Sequence, residues 1–176
     1  MDNIDATYNH KNFLVRYFFN RKTNLAIKLA NLKKNDIILD FGCGSGQLKT
    51  KLKNYNIICY DITPEHSDIE DYRSIKPTKI FALDVFEHIK KSEIEEIILN
   101  FTRMNSTFTL ITIIPTENIV SRKLRQLIGK PERAEGHITH LKEILGVLNK
   151  YLIQKERINF YTISVIAKFT TFDHKV

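Results

Sequence analysis

Cysteine is scarce in this chain. Cys43 and Cys59 have no further Cys or His nearby at zinc-ligand spacing, so a metal centre is not expected and the pair reads as reduced, half-buried thiols. Long apolar runs are also missing. No N-terminal stretch resembles the apolar core of a signal peptide, and the longest run, near Phe108 to Ile114, is too short to span a bilayer. A soluble, cytoplasmic protein is the expectation. Internal repeats and low-complexity linkers are absent too, which argues against a solenoid or a disordered chain. What remains is 176 residues, 43% hydrophobic and 27% charged, enough for one domain around one core. Basic residues exceed acidic ones to give a net charge of +7, so an anionic partner is plausible on electrostatic grounds: nucleic acid, an acidic membrane surface or a phosphorylated small molecule. The excess does not choose among them.

The stretch Ile37 to Asp61, IILDFGCGSGQLKTKLKNYNIICYD, organises the rest. Ile37, Ile38 and Leu39 form the short apolar run of a strand covered on both faces, and Gly42, Gly44 and Gly46 follow at once. Glycines permit positive φ and remove the Cβ that would hold a ligand away, so backbone N–H groups approach a cofactor closely. Asp61 lies nineteen positions beyond Gly42, at the end of the next strand, where a carboxylate is placed to accept the hydroxyl protons of a ribose. A dinucleotide fingerprint requires a glycine or alanine at position 47, but the residue is Gln47, which weakens the NAD reading. A tight strand-to-helix turn with no ligand is the plain alternative.

Asp40-x-Gly42-x-Gly44-x-Gly46 resembles the first motif of class I S-adenosylmethionine-dependent methyltransferases. A second segment strengthens the likeness: Asp84-Val85-Phe86-Glu87-His88-Ile89 is similar to the "D/E-V-L-E-H-I" segment of the small-molecule, ubiquinone and menaquinone biosynthesis-type group. The resemblance covers roughly Asp36 to Phe169 and implies an α/β, Rossmann-like fold, a mostly parallel twisted sheet closed by a C-terminal antiparallel hairpin. It further implies S-adenosyl-L-methionine as cofactor. Asp40, Gly42, Gly44 and Gly46 would seat the methionine moiety, Asp61 the ribose, and Asp84 with Val85 the wall beside them, with Cys43 and Ile62 also among the cofactor-binding residues.

Taken in order, Tyr8 to Leu32 has the pattern of two helices meeting near Asn20, with Phe13, Leu14, Tyr17 and Phe18 packing into the core and Lys11, Arg16, Arg21 and Lys22 solvated; a membrane- or substrate-facing role is the alternative. Residues 1–35 are read as a helical segment packed on a single cofactor-binding domain, 36–176. Ile62 to Lys79 is too short for the helix and strand the family spends there. The crossover helix is therefore expected to be lost, with a short edge strand around Ile69 to Tyr72, and the sheet shortened between its second and fourth strands. Asp71 and Tyr72 then stand where the family contacts adenine, with Asp68 and Glu70 as competitors and a plain acidic loop as the other reading. Ser92-x-x-Glu95 has the form of a capping box, ahead of Ile94, Ile97, Ile98 and Phe101 at helical spacing. Thr107 to Ile114 reads as a buried strand, Leu141, Ile144, Leu145 and Leu148 as an amphipathic helix, and Tyr151 to Phe160 with Tyr161 to Phe169 as a hairpin.

Between them, residues 117–140 hold Arg122, Lys123, Arg125, Lys130 and Arg133 and end in Gly136-His137-Ile138-Thr139-His140. In the related group the corresponding insertion covers the acceptor; a solvated basic helix is the alternative. Methyl transfer from a sulfonium is an in-line displacement that mainly needs alignment and exclusion of water. A hydroxyl acceptor would benefit from a base, and His137 and then His88 are the candidates, against helix-start or second-layer hydrogen bonding for each. The resemblance implies a small-molecule or lipid-linked acceptor. An RNA methyltransferase is the rival, supported by charge but lacking an N-P-P-Y-type tetrapeptide after Leu83. A cofactor-binding pseudoenzyme serving as a partner subunit is the third reading.

Overall fold

The structure, a computed structural model, describes residues 13–116, 118 and 136–172. Its centre is β1 (Ile37–Phe41), buried from Ile38 onward. Strand β1 lies parallel between β2 (Asn56–Tyr60), with Asp40 opposite Cys59, and β3 (Lys79–Leu83), with Asp40 opposite Phe81. Strand β4 (Thr109–Pro115) continues the parallel ladder beside β3; the hairpin of β5 (Ile153–Phe160) and β6 (Ser164–Thr170) closes the sheet antiparallel, giving the order β2-β1-β3-β4-β6-β5. Tyr161 and Thr162 make the hairpin turn at positive φ.

Period-two alternation sends side chains of the same strands to two cores. Leu39, Phe41, Ile80, Ala82, Leu110 and Ile114 pack with Ile94, Ile98 and Phe101 of α3 (Lys91–Met104) and with Ile144 and Leu148 of α4 (Leu141–Tyr151). Ile38, Phe81, Ile111 and Ile113 meet Ala26, Leu29 and Ala30 of α1 (Phe13–Ala30) and Leu48 of the short α2 (Gln47–Lys51). Both faces of the parallel strands are therefore covered, as their apolar runs require.

Three expectations about the helices are corrected. Within the described residues α1 is one helix through Asn20, whose side-chain amide donates to the Arg16 carbonyl one turn back instead of breaking the helix. Phe13, Leu14 and Tyr17 are exposed on it, while Lys22 is 3% exposed, so the outward and inward residues are partly exchanged relative to the simple hydropathy reading. Phe18 does pack inward, its ring 4.8 Å from that of Phe160. Helix α3 begins at Lys91, with Lys90 before it and no side-chain cap, so Ser92 lies inside the helix rather than capping it.

The shortened crossover is present as expected, but the edge strand expected within it is not. Between β2 and β3 the chain forms only two single-turn 3-10 helices, Pro64–His66 and Tyr72–Ser74, and no strand at 69–72. The outer edge of β2 is closed by Ser67 and Asp68 instead. Asp68 donates its N–H to the Cys59 carbonyl at 2.9 Å and accepts the Cys59 N–H on its carboxylate at 2.8 Å; the Ser67 hydroxyl accepts from Asp61 N at 3.3 Å. Two side chains thus replace the ladder that a further strand would have supplied.

Candidate functional site

The carboxyl ends of β1, β2 and β3 meet at one edge of the sheet, the place where open α/β sheets leave a crevice for ligands. Immediately after β1 the chain takes left-handed turns at Gly42, Gly44 and Gly46, with φ of 74°, 51° and 75°. These glycines serve different ends. A Cβ on Gly42 would stand 2.5 Å from the Val85 Cγ2, so that glycine permits the β1 and β3 ends to close on each other. A Cβ on Gly44 or Gly46 would meet nothing within 4 Å, so those two border open space.

Asp61, at the end of β2, reaches back across this turn. One carboxylate oxygen accepts the Gly44 N–H at 2.9 Å and the other accepts the Thr63 N–H at 2.9 Å. Each oxygen keeps a further lone pair for an outside donor. Asp40 is 3% exposed, and among the described residues its Oδ2 has no hydrogen-bond partner. Burial, reinforced by the neighbouring Asp61 charge, pushes its carboxyl up from 3.8 to about 7. Cys43 lies in the same turn, its Sγ donating to the His66 carbonyl at 3.3 Å. The adjoining Cys59 thiol, then burial, raise the Cys43 pKa, so it stays a neutral thiol and both cysteines are free.

Other expected site residues are engaged with the protein itself. Asp71 accepts the Arg73 backbone N–H and pairs with the Arg73 guanidinium at 2.8 Å, and that interaction holds its carboxyl below the usual range. The Tyr72 ring joins an aromatic cluster with Phe41, Tyr60 and Phe101, and its hydroxyl accepts from Asn100 at 3.0 Å. The cluster gives Tyr72 a packing role, while Ile62 is 82% exposed beside Asp61. Asp84 turns at φ 55° directly after β3 and forms a 2.6 Å ion pair with the buried Lys22. Sequence reasoning missed this pair because a lysine on a helix ordinarily reads as solvated. Lys22 is anchored further by Phe19, whose ring centroid lies 4.9 Å from the ammonium.

His88 and His137, 49 positions apart, come together with ring centroids 4.8 Å apart, edge to face. Ile138 and Thr139 donate their N–H groups to the Glu87 carbonyl, and the Thr139 hydroxyl donates to the Ile89 carbonyl at 2.6 Å, which fixes the approach to α4 against the turn that follows β3. The basic cluster of Arg122, Lys123, Arg125, Lys130 and Arg133 lies outside the described residues.

No family model matches the sequence, and no curated protein matches it. Solved structures do match the fold. The PH0226 protein of Pyrococcus horikoshii OT3 aligns at TM-score 0.69 and 14% identity, covering 94% of this chain and 95% of that one. This is the Rossmann-like methyltransferase fold. Magnesium protoporphyrin IX methyltransferase (ChlM) of Synechocystis PCC 6803, solved with bound SAM, aligns at TM-score 0.65 and 15% identity over 97% of this chain and 90% of that one. The small RNA methyltransferase HEN1 aligns at TM-score 0.66 and 17% identity over 90% of this chain but 26% of its own length. Among the described residues no helix is long and apolar enough to cross a membrane.

Proposed function

We propose that this chain binds S-adenosylmethionine at the carboxyl edge of β1 and β2 and transfers its methyl group to a small-molecule or lipid-linked acceptor. The observation that carries the reading is the Asp61 carboxylate, tied to the Gly44 N–H on one side and still able to accept two hydroxyl protons on the other. The remaining features fit the same ligand. Gly44 and Gly46 leave open the volume that a Cβ would fill, and the unpartnered oxygen of the buried Asp40 is a counterpart for an amino group. The Synechocystis relative in fold, solved with bound SAM, supports the choice of cofactor.

When bound, the sulfonium supplies an electrophilic methyl group, so the protein's task is alignment and exclusion of water. Asp61 holds the ribose end, the glycine turn brings backbone N–H groups close to the ligand, and Val85 packed on Gly42 walls the crevice from the β3 side. Lys22 occupies the Asp84 carboxylate, which leaves Asp84 a structural part in placing Val85. His88 and His137 are the candidates to take a proton from an acceptor hydroxyl, at roughly 10² to 10⁴ in rate for a positioned base.

RNA is the second acceptor reading, supported by the net charge of +7 and by the fold shared with a small RNA methyltransferase. Calorimetry with S-adenosylmethionine tests the common premise. We expect binding by the native chain and at least tenfold weaker binding by Asp61→Ala; equal affinities would sink the site. Incubation with labelled cofactor and separated lipid, metabolite and RNA fractions then identifies the acceptor. Binding without labelling of any fraction would favour a partner subunit over an enzyme.

A further inference from the structure

Glu87, His88 and His137 each bring one potential ligand atom to within 4.8 Å of the others. The cluster is built by backbone rather than by chance contact of surface side chains. Glu87 and His88 lie on the single 3-10 turn Phe86–His88 that follows β3, and the residue after His137 is anchored to that turn through Ile138 N to the Glu87 carbonyl at 2.8 Å. Thr139, 3% exposed, makes two more bonds, one to the Glu87 carbonyl of that turn and one to the carbonyl of Ile89 just after it.

The His88 ring adds an independent sign. Its Nδ1 lies 3.1 Å from the Gly136 carbonyl, and because a carbonyl only accepts, Nδ1 is the donor of that contact; in the neutral ring the lone pair then belongs to Nε2. Ligand histidines are oriented in this way, with one ring nitrogen on the metal and the other N–H given to a carbonyl. Glu87 is 2% exposed, so its carboxylate is held at the base of the cluster rather than swinging in solvent.

We propose that Glu87, His88 through Nε2, and His137 bind one divalent transition-metal ion. Two imidazoles and one carboxylate suit zinc or manganese and are a poor match for calcium, which takes six to eight oxygen ligands. Three protein ligands leave at least one position for water or an oxygen of another molecule, the layout of a reactive rather than a purely structural centre. Bonds of about 2.1 Å place neighbouring ligand atoms about 3–4 Å apart, so the side chains close by about 1 Å around the ion. Binding stands independently of the cofactor reading. Its use in catalysis rests on that reading: the ion would hold an acceptor oxygen beside the β3 end, and both histidines would act as ligands rather than as free bases.

The test uses the full chain without a histidine tag, stripped with EDTA and titrated calorimetrically with ZnCl2 and with MnCl2. We expect one ion per chain with at least one of the two metals, affinity reduced at least about 10- to 100-fold in His137→Ala and Glu87→Gln, and no change in His66→Ala. X-ray absorption of the loaded protein should fit two imidazole nitrogens and a carboxylate oxygen. Absence of binding, or equal affinity in native chain and His137→Ala, overturns the proposal; His137→Ala decides alone if Glu87→Gln does not fold. A parallel titration with S-adenosylmethionine separates the two readings, since a chain that binds cofactor but no metal overturns only the ion site, and the reverse overturns only the methyl-transfer reading.

Discussion

Replacing Asp84 by asparagine would leave the Lys22 ammonium, whose side chain is 4% exposed, without its anionic partner. Replacing Lys22 by methionine leaves a carboxylate that is 28% exposed and reached by water. Breaking a buried pair from one side costs about 3–5 kcal/mol. The asparagine oxygen still accepts a hydrogen bond from Lys22, so we expect about 2–3 kcal/mol for Asp84→Asn, against about 1 kcal/mol for Lys22→Met. Asparagine also tolerates the φ of 55° at this position, which removes the backbone as a rival cause. The double variant should be less destabilised than the two single effects added, by about 1–2 kcal/mol, because the stranded charge disappears with its partner. Urea unfolding of the four proteins measures this directly, with a melting-temperature loss of about 4–12 °C for Asp84→Asn. A lysine variant worse than the aspartate variant, or strict additivity, would refute the argument.

The glycine turn should divide by function. Gly42→Ala should cost about 3 kcal/mol in denaturant unfolding, from collision with Val85 and a disfavoured φ, whereas Gly44→Ala should cost about 1 kcal/mol yet weaken S-adenosylmethionine binding in calorimetry. Asp40, with its folded pKa raised from 3.8 to about 7, favours the folded state fully below pH 4 and loses that contribution as pH rises through 7. Asp40→Asn should therefore gain stability relative to the native chain between pH 4 and pH 7 and level off above, by at most about 4 kcal/mol; a gain independent of pH in urea titrations refutes the cause. Asp68→Ala strips the Cys59 N–H of its acceptor and Lys49 of its partner, and should cost about 1–2 kcal/mol with increased aggregation by light scattering. Unchanged stability would show that water replaces the carboxylate at the β2 edge.

Features written in adjacent residues were legible in the sequence. The Ile37–Leu39 run, the three glycines and Asp61 sit within one strand–turn–helix–strand unit, so residue type and spacing suffice to predict their arrangement. The hairpin of β5 and β6 follows from the same local logic. Lys22 and Asp84 are 62 positions apart, and nothing on the α1 surface pattern distinguishes Lys22 from a solvated lysine until β3 is set beneath it. Glu87 was hidden likewise: an acid after a strand reads as exposed, yet it is buried on a turn whose carbonyl accepts from Ile138 and Thr139, some fifty positions on. Asp71 and Tyr72 were placed by analogy with longer relatives, and the shortened chain turns one toward Arg73 and the other into the aromatic core.

The missing strand therefore bears on the site as well as on the sheet. Without a neighbour, β2 would offer an open edge, and Asp61, the residue that follows it, would have a poorly fixed backbone. Ser67 and Asp68 answer both needs together: Asp68 engages Cys59 along the edge, and the Ser67 hydroxyl takes the Asp61 N–H while donating to the Ile69 carbonyl at 2.6 Å. The turn just before them carries the His66 carbonyl to the Cys43 thiol, joining the edge closure to the glycine turn. Asp61 is thus held through its backbone by the substitute edge and through its carboxylate by Gly44 and Thr63. A sheet reduced in this manner keeps the Asp61 carboxylate oxygens in place because the residues that close its border also position the aspartate.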